Sequence, residues 1–97
     1  MLVRVLTMRV VPERRDDWLR FTRDIGFPGM RRQPGCRGIW RLHRHGDGNE
    51  YEVVTLWDSL ADLERFRASD DMRALTAAAA GLTVPPSGEA LFDVIGD

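Results

Sequence analysis

Residues 36–57 read CRGIWRLHRHGDGNEYEVVTLW, and the rest of the architecture can be built around them. Two runs rich in β-branched, aromatic and other apolar residues, 36–44 and 50–57, flank His45-Gly46-Asp47-Gly48-Asn49. Gly and Asp suit a tight turn and the flanking runs suit a pleated backbone, so the stretch predicts a β-hairpin. Strand side chains alternate, which sets Tyr51, Val53, Thr55 and Trp57 on one face and Glu52, Val54 and Leu56 on the other. Asp58-Ser59 follows at once. Ser59 and Asp62 have the spacing of a capping box, and Leu60, Leu63 and Phe66 give the helix they open its buried side. Ser69-Asp70-Asp71 is a second cap that restarts or kinks this helix. Met72, Leu75 and Ala79 continue its apolar face, and Gly81 and Pro85-Pro86 end it.

Upstream, residues 2–11 (LVRVLTMRVV) read as a strand. Pro12 ends it and suits the first turn of a helix, and Glu13, Asp16 and Asp17 fall at that helix's positive end. Trp18, Phe21, Thr22 and Ile25 fall at i, i+3, i+4 and i+7, on one face of it. Gly26 and Pro28 are expected to stop it, and Gln33-Pro34-Gly35 turns the chain into the hairpin. Downstream, residues 89–95 (EALFDVI) read as the last strand. The order β-α-β-β-α-β predicts one α+β domain over residues 1–97. It is the ferredoxin-like split βαβ, an antiparallel four-stranded sheet of order 4-1-3-2 with its helices on one face.

Composition narrows the function. The chain has 97 residues, 43% apolar and 30% charged, with a net charge of −1 and one cysteine. Bulk charge therefore does not hold it on nucleic acid or an anionic membrane, and no disulfide framework or multi-thiolate metal site is available. No apolar run reaches the roughly 18 residues of a membrane span. Arg4 and Arg9 interrupt the apolar N-terminus, which does not read as a signal peptide, so a cytoplasmic location is expected. All 14 basic side chains are arginine, leaving no lysine for Schiff-base chemistry. In the first strand both the Leu2, Arg4, Leu6, Met8, Val10 set and the Val3, Val5, Thr7, Arg9, Val11 set are largely apolar. Two helices cover one face of a sheet, so the other face is expected to pack on a second copy of the chain, giving a homodimer.

Gln33-Pro34-Gly35-Cys36, Val53-Val54-Thr55-Leu56-Trp57-Asp58-Ser59, Ala61 and the Phe66-x-x-Ser69 break together resemble the antibiotic biosynthesis monooxygenase (ABM) family over nearly the whole chain. The resemblance implies a dimeric α+β barrel with a cavity between sheet and helices in each protomer. It also implies a monooxygenase that oxidises an electron-rich aromatic or polyketide-like small molecule with O₂ and needs no cofactor or metal. In such chemistry the substrate supplies the electrons, while the protein binds the rings, helps remove a phenolic proton and stabilises the anion.

By this resemblance Trp57 is the family tryptophan at the end of the third strand. Val53 stands where quinone-forming members carry an asparagine, and Leu63 stands near their tyrosine. Trp57 and Phe66 are the expected pocket walls and Thr7 a polar contact, with Tyr51, Val53 and Leu63 as further substrate-binding residues. His43 and Arg41 share a strand face and are the candidate catalytic pair. An imidazole titrates near neutral pH, and a guanidinium binds a phenolate. Arg37 is expected further along that face and Arg9 at the cavity mouth. Trp40 and Leu42, on the opposite face, suit the barrel interior or a dimer contact. His43 and His45 share a face but lack an adjacent third ligand, and Cys36 reads as a small buried hydrophobe. One alternative is a non-catalytic dimeric binding or accessory protein of the same fold. Another, haem degradation, is disfavoured because Leu75 or Thr76 stands where that branch places its axial histidine.

Overall fold

The computed structural model describes residues 1–96. Strand β1 (Leu2–Val10) is central, flanked by β3 (Glu50–Trp57) and β4 (Thr83–Asp93), and β2 (Cys36–His43) borders β3. All three pairings are antiparallel, and the order β2-β3-β1-β4 is the expected one. Leu2 pairs with Trp57, Arg4 with Thr55, Leu6 with Val53 and Met8 with Tyr51, so the even-numbered β1 set and the odd-numbered β3 set share a face. On that face lie α1 (Arg15–Phe21), α2 (Phe27–Arg31), α3 (Leu60–Arg67) and α4 (Asp70–Ala78). Leu2, Val10, Ile39, Tyr51, Val53 and Trp57 from the sheet close on Trp18, Met30, Leu63 and Phe66 from the helices to form the core. Among the described residues no helix is long and apolar enough to cross a membrane.

Both expected caps form. The Asp62 N–H donates to Ser59 Oγ at 3.2 Å, and the Met72 N–H to Ser69 Oγ at 3.1 Å. The second bond separates α3 from α4 at Ala68-Ser69.

Gly26 and Pro28 do not stop the first helix. Thr22–Gly26 forms a π turn, in which the Phe27 N–H reaches back to the Thr22 carbonyl. The extra residue in that turn resets the hydrogen-bond register. α2 then begins with Pro28 in its first turn, where a missing N–H costs nothing. Gln33 ties the far end of α2 to α4, its Nε2 donating to the Gly29 carbonyl at 3.1 Å and to Asp71 Oδ2 at 2.8 Å.

Strand β4 also begins earlier than expected, and Pro85-Pro86 lies within it. β1 and β4 lose register between Thr7, opposite Gly88, and Arg9, opposite Val84, so the prolines occupy a bulge. Edge strands and bulges are where a sheet admits proline. A second irregularity, between Cys36 and Gly38, takes Arg37 out of the alternation. Instead of lying on the Arg41 face, it is exposed and paired with Asp58 at 2.7 Å and 3.0 Å.

The other sheet face carries Val3, Val5, Val54, Leu56, Trp40, Leu42 and Phe92, as the pairings Val3–Leu56, Val5–Val54, Trp40–Val54 and Val3–Phe92 show. Trp40 is 51% exposed, Leu42 46% and Phe92 55%.

Candidate functional site

A cavity of about 410 Å³ lies between the helices and the inner face of the sheet. That is the size of a site for a small organic molecule. Leu6 and Met8 of β1 and Val53 of β3 form its floor. Trp18 and Phe21 of α1, with Phe27 and Met30 of α2, form one wall, and Phe66, Met72 and Leu75 form another. Three methionines give this apolar lining adaptable, polarisable surface suited to aromatic rings.

Of the residues expected at the site, Phe66 and Val53 line the cavity. Trp57 stands behind Phe66. It is fully buried, its ring stacks on Phe66 with centroids 5.5 Å apart, and its indole N–H donates to Thr55 Oγ1 at 2.8 Å. Leu63 is likewise fully buried in the core. Tyr51 is held between Trp18 and His43, each with centroids 4.6 Å away, and its hydroxyl accepts from Arg15 Nε.

His43 and Arg41 share the inner face as expected but do not line the cavity, because Trp18 and Thr22 stand between. The Arg41 guanidinium lies 5.9 Å from the Trp18 ring centroid and donates to Thr22 Oγ1 at 2.6 Å and to the Leu19 carbonyl at 3.1 Å. Thr7 and Arg9 are on the wrong side of the sheet for the roles expected of them. Thr7 pairs with Glu52, whose Oε1 accepts from its hydroxyl at 3.4 Å, and Arg9 reaches Asp47 at 3.2 Å in the hairpin loop. Strand parity is the reason, since the cavity takes the even-numbered β1 side chains. Cys36 is partly buried; burial, above all, pushes its thiol up, which fits the small hydrophobe expected there. Among the described residues no three His, Cys, Asp or Glu side chains converge as a metal site would require.

Sequence reasoning missed Arg4. It lines the cavity and is only 6% exposed. Its Nε donates to Glu89 Oε2 at 2.7 Å, while Glu89 Oε1 accepts from Arg67. Burial draws the Arg4 pKa below its ordinary value, against the opposing hydrogen bond and charge of Glu89. Burial also pushes Glu89 upward, but the hydrogen bonds and charges of Arg4 and Arg67 outweigh it and hold the carboxyl below its usual range. The signal was present in the sequence, because Arg4 is the one charged member of the set Leu2, Arg4, Leu6, Met8, Val10.

An antiparallel βαββαβ sheet with an apolar cavity beneath its helices defines a ferredoxin-like α+β domain. The sequence profile of the antibiotic biosynthesis monooxygenase family matches residues 1–78, and the chain belongs to that family. No curated protein matches the sequence. Among solved structures, an antibiotic biosynthesis monooxygenase superposes with a TM-score of 0.82 at 19% identity, covering 99% of this chain and 100% of that one. SnoaB, a cofactor-independent oxygenase from Streptomyces nogalater, gives 0.81 at 20% identity, covering 99% and 94%. The protein PA3566 from Pseudomonas aeruginosa gives 0.78 at 17% identity, covering 98% and 94%. At these identities the likeness is one of fold.

Proposed function

We propose that the protein is a cofactor-independent monooxygenase that oxidises an electron-rich aromatic or polyketide-like small molecule with O₂. The observation that carries this reading is the cavity of about 410 Å³, walled by aromatic and thioether side chains, inside a fold of this family. The fold likeness to SnoaB, itself a cofactor-independent oxygenase, points the same way. A phenol whose keto tautomer carries a ring CH₂ gives a carbanion when deprotonated there. O₂ adds to that carbon, and loss of water leaves a carbonyl. One oxygen atom enters the product and the other leaves as water, with all electrons drawn from the substrate. The protein's part is to bind the rings, exclude water and stabilise the anion.

The second reading is a non-catalytic binding or accessory protein. One observation favours it: Arg4 is the only ionisable side chain among the described lining residues, so the wall offers no general base. Leu75 and Thr76 both line the cavity and neither ligates iron, which leaves haem degradation without its axial group.

Oxygen uptake by metal-free protein with an anthrone or a hydroxynaphthalene, against a protein-free control, separates the first two readings. The oxygenase consumes one O₂ per quinone formed from the anthrone. Ligand binding without any uptake across several such substrates assigns the protein to the binding class.

A further inference from the structure

The cavity wall holds one charged side chain whose charge the protein only partly answers. Arg4, a residue of β1 that is 6% exposed, gives its Nε to Glu89, and the same carboxylate serves Arg67. One carboxylate between two guanidiniums leaves the cluster with a net charge of +1. Among the described residues no protein acceptor takes either Nη nitrogen of Arg4, neither nitrogen is fully buried, and the residue lines the cavity. The same cavity is lined by Leu6, Val53, Phe66 and Met72. A guanidinium in such surroundings is costly unless an anion meets it, and its free edge matches the two lone-pair directions of an oxyanion.

We infer that Arg4 is the anion anchor of the cavity, and that its ligand is an aromatic monoanion. The ligand's oxyanion takes the two Nη groups, and its rings occupy the apolar lobe. This rests on the cavity being the substrate site, as proposed above. Glu89 and Arg67 are positioning residues. Glu89 holds the Nε edge of Arg4 and so turns the other edge toward the ligand. Arg67 offsets Glu89, without which Glu89 would cancel the charge that attracts the ligand.

The test is an anaerobic titration followed by tryptophan fluorescence, since Trp18 lines the cavity. The probes are naphthalene carboxylate and its neutral isostere naphthalene carboxamide. The wild type is expected to bind the carboxylate at least about tenfold more tightly than the carboxamide. Arg4→Leu abolishes that preference, weakening carboxylate binding far more than carboxamide binding, while Arg67→Gln reduces the preference.

A second arm uses naphthol. Its pKa falls on binding to the wild type, by about one unit or more, and not on binding to Arg4→Leu. A carboxylate preference without that fall still supports an anion anchor and assigns it to carboxylates rather than phenolates. If Arg4→Leu does not fold, the wild-type preference and its weakening in Arg67→Gln still decide the matter. Equal binding of carboxylate and carboxamide to the wild type overturns the anion anchor and leaves the cavity as the binding site. No binding of any probe overturns both.

Discussion

Trp57 and Phe66 are stacked on one another, yet only Phe66 meets the cavity. This divides their roles. Trp57 has no exposed surface, and its N–H is spent on Thr55, so it contributes chiefly to the core. Trp57→Ala is expected to cost about 3–5 kcal/mol in urea denaturation, from lost burial plus the cavity left behind. Phe66→Leu keeps most of the volume and removes the aromatic face, so it should cost about 1 kcal/mol in stability and proportionally more in aromatic-ligand affinity. A Trp57 variant that loses ligand affinity while keeping its stability would reverse these roles. Both residues were legible as an inner-face pair, Trp57 from its place at the end of the third strand and Phe66 from the buried side of the helix that follows. Arg41 and His43 were legible as sharing that face, but strand parity says nothing about where along a face the cavity lies. Trp18, contributed by a helix distant in sequence, covers their end of it.

The break between α3 and α4 is small and consequential. Ser69 Oγ accepts from the Met72 N–H and lies 2.6 Å from the Phe66 carbonyl, to which it donates. One hydroxyl thus caps the start of α4 and holds the end of α3, and both helices send side chains into the cavity. Ser69→Ala is expected to lower stability by about 1 kcal/mol in thermal melts, as loss of a helix cap does. Ser69→Asp, which restores an acceptor, should recover most of it; no recovery would mean that the donated bond to Phe66 matters more than the cap. Both caps and the hairpin were readable because each is settled within a few residues of chain. The π turn and the prolines in β4 were not. Pro28 is tolerated only because the preceding turn gains a residue. Pro85-Pro86 is tolerated only because β1 and β4 slip past one another there. The first depends on a hydrogen-bond register that periodicity does not reveal, the second on a partner strand distant in sequence.

At the scale of the whole molecule, helices cover one side of the sheet and leave the other apolar. Trp40, Leu42 and Phe92 stand exposed there among Val3, Val5, Val54 and Leu56. A domain of this size buries only about 60% of its unfolded surface, so closing that face adds stability the single chain lacks. We propose that a second copy of the chain closes it, sheet against sheet. Light scattering after gel filtration should give twice the chain mass, and Trp40→Glu should shift the protein to monomer. A monomeric wild type at micromolar concentration would overturn the assignment. The expectation came from the sequence because both side-chain sets of β1 are apolar, a pattern that a solvated face does not show.

Trp40 lies over Gly38, where even a single added methyl carbon would come within 2.6 Å of its ring. A tryptophan that stood up from a sheet would act as a knob and demand a matching hole. Lying down on a residue with no side chain, it works instead as paving. Because Gly38 carries no side chain, the indole can rest against the strand, and the second copy proposed above would meet it as surface rather than as a knob. Thus the shape that Trp40 gives this face is set two residues away in the chain, on the side of the sheet opposite the cavity.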